Sequence, residues 1–172
     1  MTLDIGTSFR VLLGHSVDFV VVGGIAGMSH GSAYPSFDLD IAYARGRANL
    51  KRLVDALEEL GATLRVGGEP SPDPEAIPFQ LDVKSIEKSL NLTFDTRYGP
   101  LDVLGDPGGI SSYRDLAQAS TETEIEGHRV RVASLDHLIA MKRNAARPKD
   151  QLMLEEYIVL AEEARRAGNG PA

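Results

Sequence analysis

The chain of 172 residues is long enough for one domain with a substantial core and short for two. Its 42% hydrophobic and 25% charged residues are ordinary for a globular protein, and a formal charge of −7 argues against nucleic-acid binding through overall charge. The lack of cysteine excludes disulfides and thiolate metal sites. No apolar run reaches transmembrane length and MTLDIGTSFR lacks a signal-peptide core, so a cytoplasmic protein with no membrane partner is expected.

In chain order, residues 6–15 place Phe9, Leu12 and Leu13 at helical spacing. Phe19–Val22 reads as a strand buried on both faces, and Gly23-Gly24 turns it into a short helix over Ile25–His30. A strand is expected over Phe37–Tyr43. Its period of two sets Phe37, Leu39, Ile41 and Tyr43 on one face and Asp38 and Asp40 on the other. Arg47–Leu60 is the clearest helix, with Leu50, Leu53, Val54, Leu57 and Leu60 as its stripe and Gly61 as its cap.

Ala62–Val66 reads as an edge strand, and Gly67–Pro78, with four prolines and two glycines, as a loop. Asp82 caps a short helix through Lys88. Leu90–Thr96 alternates Leu90, Leu92 and Phe94 against Asn91, Thr93 and Asp95. Arg97–Pro100 turns the chain so that Leu101–Leu104 returns as its hairpin partner. After the loop 105–110 come a helix over 112–119 and a hairpin of Thr121–Ile125 with His128–Val132. A helix over Ser134–Ala145, capped by Ser134, precedes a last helix from Pro148 to about Arg166. A single domain over 1–166 is expected, its core at about 15–133, its C-terminal helices at about 134–166 and a frayed tail over 167–172.

The candidate chemistry lies in FVVVGGIAGMSHGSAYPSFDLD. Asp38 and Asp40 are about 6–7 Å apart by strand rise. Backbone N–H groups near the glycines can meet phosphate oxygens while the carboxylates hold Mg²⁺, which suits a metal-bound triphosphate. Asp102, between Leu101 and Val103, is an edge residue facing water or a member of a site. Lys142 continues the stripe of Leu135, Leu138 and Ile139, and either snorkels outward or delivers its ammonium to a site at the core's rim. The four histidines have no metal-ligand spacing, and His30 reads as structural.

Gly-Gly, thirteen residues and Asp-x-Asp, followed by TRYGPLDVL and SLDHLIAMKRNAARPKD, resemble the nucleotidyltransferase superfamily of DNA polymerase β type. More narrowly they resemble the minimal and AbiEii-like toxin nucleotidyltransferases of bacteria, over roughly residues 15 to 160. The resemblance implies an α+β fold, a mixed sheet flanked by helices and closed by a C-terminal helical segment. It implies transfer of a nucleoside monophosphate from an NTP to a hydroxyl, with release of pyrophosphate. Two Mg²⁺ would be held by Asp38, Asp40 and Asp102, with Asp102 also helping to deprotonate the acceptor. Gly23, Gly24, Ser36 and Lys142 would serve the nucleotide. Arg147 and Lys149 would bind phosphate or an RNA backbone, and Asp150 would only favour a helix N-terminus. Asp95 does not match the third acid and reads as solvated.

The acceptor implied is an RNA 3′ end such as that of a tRNA, a protein side chain or a small molecule, and the setting a toxin with a cognate antitoxin. Where the family carries Arg-x-Thr before the acids, this chain has Tyr34-Pro35-Ser36, whose serine supplies the hydroxyl but whose tyrosine supplies no charge. That departure leaves a catalytically silent nucleotide- or partner-binding module as the alternative.

Overall fold

A computed structural model describes residues 2–65 and 79–168; the expected loop 67–78 and the last four residues lie outside the described residues. The elements are α1 (Ile5–Gly14), β1 (Phe19–Val22), α2 (Gly23–Ser29), β2 (Leu39–Tyr43), α3 (Arg47–Glu59), β3 (Thr63–Leu64) and α4 (Val83–Lys88). They continue with β4 (Asn91–Thr96), β5 (Gly99–Leu104), α5 (Tyr113–Ala119), β6 (Thr121–Ile125), β7 (His128–Val132), α6 (Leu135–Ala145) and α7 (Gln151–Gly168). A 3₁₀ turn over Pro148–Asp150 leads into α7, so the proline opens a turn rather than the α-helix itself.

The seven strands form one mixed sheet in the order β3-β4-β5-β2-β1-β7-β6. Its centre is β2, antiparallel to β1 and parallel to β5, while β7 joins β1 in parallel. Both central strands are hydrogen-bonded on two sides and lie between helices. This is why Phe19–Val22 is apolar at every position, all four residues being buried.

One face of the sheet carries Phe19, Val21, Leu39, Ile41, Tyr43, Leu101, Val103 and Phe94, all buried. Helix α1 packs here, with Phe9 stacked on Phe19 at 6.3 Å, and α3 adds Leu50, Leu53 and Leu57 with no exposure at all. Each such leucine withdrawn from water contributes about 1.5–3 kcal/mol before the cost of ordering it. The other face carries Val22, Asp40, Ala42, Asp102, Leu104 and Thr93. α2, α6 and α7 close over part of it.

The expected strand over Phe37–Tyr43 begins only at Leu39, and Phe37 is 77% exposed. Pairing explains the difference, since β2's register with β1 and β5 starts at Leu39–Asp40 and leaves Phe37 without a sheet neighbour. Leu90 likewise falls outside β4 and is 60% exposed. Gly61 follows α3 in the left-handed region, as a helix-ending glycine should. β3 is an edge strand of two residues, shorter than Ala62–Val66 suggests.

Candidate active site

Asp38, Asp40 and Asp102 converge, with one carboxylate oxygen from each lying within 4.8 Å of the others. The cause is register. Asp40 on β2 is the direct partner of Asp102 on parallel β5, and strands in register stand about 4.8 Å apart. Asp38 joins from the turn before β2, held by Ser36, whose Oγ donates to the Asp38 carbonyl at 3.0 Å and stands 3.2 Å from its carboxylate. Ser36 therefore orients an acid.

The two glycines are required by this packing. Gly23 has φ +66, and a Cβ there would lie 2.6 Å from the Asp40 Cγ. A Cβ on Gly24 would lie 2.7 Å from the Ser36 Cβ. The pair lets the start of α2 come down onto Asp40 and Ser36 together.

Burial raises the Asp40 pKa to about 8, with Asp38 and Asp102 adding repulsion and Lys142 opposing it. Asp102 is also raised, chiefly by burial and by Asp38. Its Oδ1 is buried with no hydrogen-bond partner among the described residues. Acids that repel one another, one with an unsatisfied oxygen, are a donor set suited to hard divalent cations such as Mg²⁺.

Asp40, alone of the three acids, also lines a cleft of about 130 Å³, together with Val22, Gly23, Lys142, Arg147 and Tyr157, among others. Lys142 is brought there by α6, whose N-terminus is fixed by the Ser134 hydroxyl accepting from the His137 N–H at 3.2 Å. The Lys142 side chain is only 14% exposed. Its Nζ lies 3.1 Å from Asp150 and 5.8 Å from the centre of the Tyr157 ring. Arg147 reaches the other Asp150 oxygen at 2.7 Å.

Asp150 is thus more than a residue near a helix start. It is a buried counter-ion, 7% exposed, that holds two cations on one wall of the cleft. Burial raises its pKa, but the hydrogen bonds from Arg147 and Lys142 outweigh burial and keep it below the usual carboxylate range. In sequence Asp150 is an acid at the end of a basic run, and only its eight-residue spacing from Lys142 hints at the pair. Tyr157 is pushed up to about 12 by burial. Its hydroxyl points at Gly27 and has no partner among the described residues; nothing in the sequence marks it as chemical.

Lys149 is exposed and outside the lining of the cleft, and Arg143 is exposed on α6. Asp95 shares the sheet face of Asp102 but is ion-paired to Arg65. His30 contacts the Ala133 carbonyl at 2.8 Å, a structural role.

No family model and no curated protein sequence matches the chain. Solved structures do match. The lincosamide antibiotic adenylyltransferase LnuA, lincomycin-bound, superposes with a TM-score of 0.58 at 12% identity over 92% of this chain and 98% of its own. ANT(2'')-Ia in complex with adenylyl-2''-tobramycin gives 0.51 at 14% identity, over 95% and 98%. The antibiotic-resistance factor ANT(2'')-Ia in solution gives 0.51 at 16%. At such identities the likeness is one of architecture, and the architecture of this chain is the nucleotidyltransferase fold.

Proposed function

We propose that the protein is a metal-dependent nucleotidyltransferase that moves a nucleoside monophosphate from an NTP to a hydroxyl acceptor. The observation that carries this is the convergence of Asp38, Asp40 and Asp102, with Lys142 and Arg147 lining the same cleft as Asp40. Two Mg²⁺ held by the three acids would neutralise phosphate charge and clamp the reacting oxygens. The chain's own groups do the rest. Lys142 and Arg147 bind the β- and γ-phosphates, already gathered on one wall by Asp150. The backbone at Gly23 and Gly24 lets the triphosphate approach closely. The acceptor oxygen bonds to the α-phosphorus, its proton passes to Asp102, and the bond to the β-phosphate oxygen breaks to release pyrophosphate.

The structural neighbours support transfer to small molecules, since one is lincomycin-bound and another holds adenylyl-2''-tobramycin. The toxin setting, the antitoxin partner and the AbiEii-like branch rest on the sequence resemblance. They are tested by growth arrest on expression and its relief by co-expression of the neighbouring gene. The test of the activity is Mg²⁺-dependent pyrophosphate release. Asp38→Asn and Asp40→Asn should abolish release while leaving the circular dichroism spectrum unchanged. Retained release in both variants would remove the metal assignment.

A further inference from the structure

α7 brings one aromatic ring to the cleft, and the ring is fixed from two sides. Tyr157 is buried and meets Lys142 of α6 and Gly27 of α2. Its hydroxyl fills the space a side chain at Gly27 would need, and a Cβ there would also lie 2.7 Å from the Tyr157 Cζ. One turn further along α7, Leu160 stands against Gly31, where an added Cβ would touch it at 3.6 Å. Glu156 accepts the Ala33 N–H at 3.2 Å. α7 is therefore seated along α2 and the segment after it, and that seat sets the place of the ring.

Hydrogen bonding does not account for Tyr157. Its hydroxyl is buried with no partner among the described residues, and such a group costs stability. What the ring does meet is a charge. The Lys142 Nζ lies over it, 5.8 Å from its centre, within the range of about 6 Å at which an aromatic face attracts an ammonium. Asp150 divides its two oxygens between Lys142 and Arg147, so two cations share one carboxylate and their wall keeps a net positive charge. A second carboxylate in place of the ring would hold Lys142 but cancel that charge. An aromatic face attracts the ammonium and adds no charge of its own. Without it, the flexible stem of Lys142 is free to turn toward Asp40, whose charged form it already favours.

We propose that Tyr157 is a positioning residue: its ring holds the Lys142 ammonium in the cleft, charged and ready for phosphate, and residue 27 is glycine so that the ring can take that place. The working part is the ring face and not the hydroxyl. The nature of the ligand rests on the nucleotidyl-transfer reading, whereas the placing of Lys142 is a property of the free protein.

Two measurements on the intact chain test this. In the free protein, the ring current should move the Lys142 ε-methylene protons upfield of those of the other lysines. The shift should persist in Tyr157→Phe and vanish in Tyr157→Leu. Calorimetry with each NTP and Mg²⁺ should then show the dissociation constant raised about three- to tenfold in Tyr157→Leu and unchanged in Tyr157→Phe. In a Lys142→Met background Tyr157→Leu should add no further loss, because the ring acts through the ammonium. Leu160→Ala is the control, since it loosens the seat of α7 and keeps the ring; it should melt lower and bind NTP as the wild type does. Should Tyr157→Leu not fold, Tyr157→Met takes its place. An unshifted Lys142 in the wild type, equal loss in Tyr157→Phe, equal loss in Leu160→Ala, or losses that add in the double variant would overturn the proposal. A shifted Lys142 in a wild type that binds no NTP would instead remove the nucleotidyl-transfer reading and leave the placing of Lys142 intact.

Discussion

At the scale of the residue, Asp40 concentrates the conflict built into the site. Its pKa is raised to about 8, so in the metal-free folded protein it holds a proton that the unfolded chain releases near pH 4. The folded state then binds more protons than the unfolded state between those values, and its stability falls as pH rises through that window. Thermal melts of metal-free protein should show the decline from pH 4 to 8, and Mg²⁺ should reverse it at pH 8. Asp40→Asn should flatten the profile and melt higher at pH 8, by roughly 2–4 °C for each kcal/mol of repulsion relieved. A flat profile in the wild type would show that the acids do not oppose one another.

Lys142 and Asp150 make the second residue-scale prediction. A charged hydrogen bond to phosphate is worth about 1.5–3 kcal/mol, roughly ten- to a hundredfold in NTP affinity. Lys142→Met keeps the aliphatic stem and should lose that affinity by calorimetry. Asp150→Asn leaves Lys142 with an uncompensated charge at 14% exposure and should cost about 3–5 kcal/mol of stability in urea. Unchanged affinity in the first variant would reduce the lysine to a cover for apolar surface.

At the scale of the element, the junction of β1 with α2 is the least forgiving. Gly23→Ala combines a left-handed backbone with a collision against Asp40, and should cost about 1–3 kcal/mol from the backbone alone. The melting temperature measures that loss. NTP affinity should fall further than the stability does, because Asp40 must move. Gly14→Ala serves as the control, since nothing lies within 4 Å of the added methyl group there. Equal behaviour of the two variants would show that the close approach is not needed.

Element-scale legibility was high where one face is buried. The α3 stripe, the hairpin of β6 and β7, the Asp82 and Ser134 caps and the fully buried β1 could all be read from the chain. Errors fell at ends that pairing sets. Phe37 and Leu90 continue the apolar alternation of β2 and β4, yet neither belongs to a paired stretch of the sheet. Alternation marks a face, while a strand ends where its hydrogen-bonding partner ends.

At the scale of the whole molecule, charge placement is the issue. Overall charge is −7, and the basic run 142–149 contributes Lys142 and Arg147 to the wall of the cleft, both tied to Asp150. Arg143 and Lys149 remain on the outer surface. RNA retention on filters should therefore be weak at low salt and vanish by about 0.1 M, with a shallow salt slope of about −0.7 for each phosphate neutralised. A slope equivalent to several phosphates would return RNA as the acceptor.

The sequence by itself determined the acids and the glycines, because strand alternation and chain order are properties of one dimension. It placed Asp38 and Asp40 off the apolar face, Asp102 between two core residues and Lys142 at the end of a helical stripe. Only the tertiary structure decided that Asp40 and Asp102 stand side by side, that Asp150 is the counter-ion of two cations, and that Arg65 joins the row of Thr93 and Asp102. Those facts depend on register between strands far apart in the chain and on how α6 and α7 dock against the sheet. Local periodicity carries no information about either.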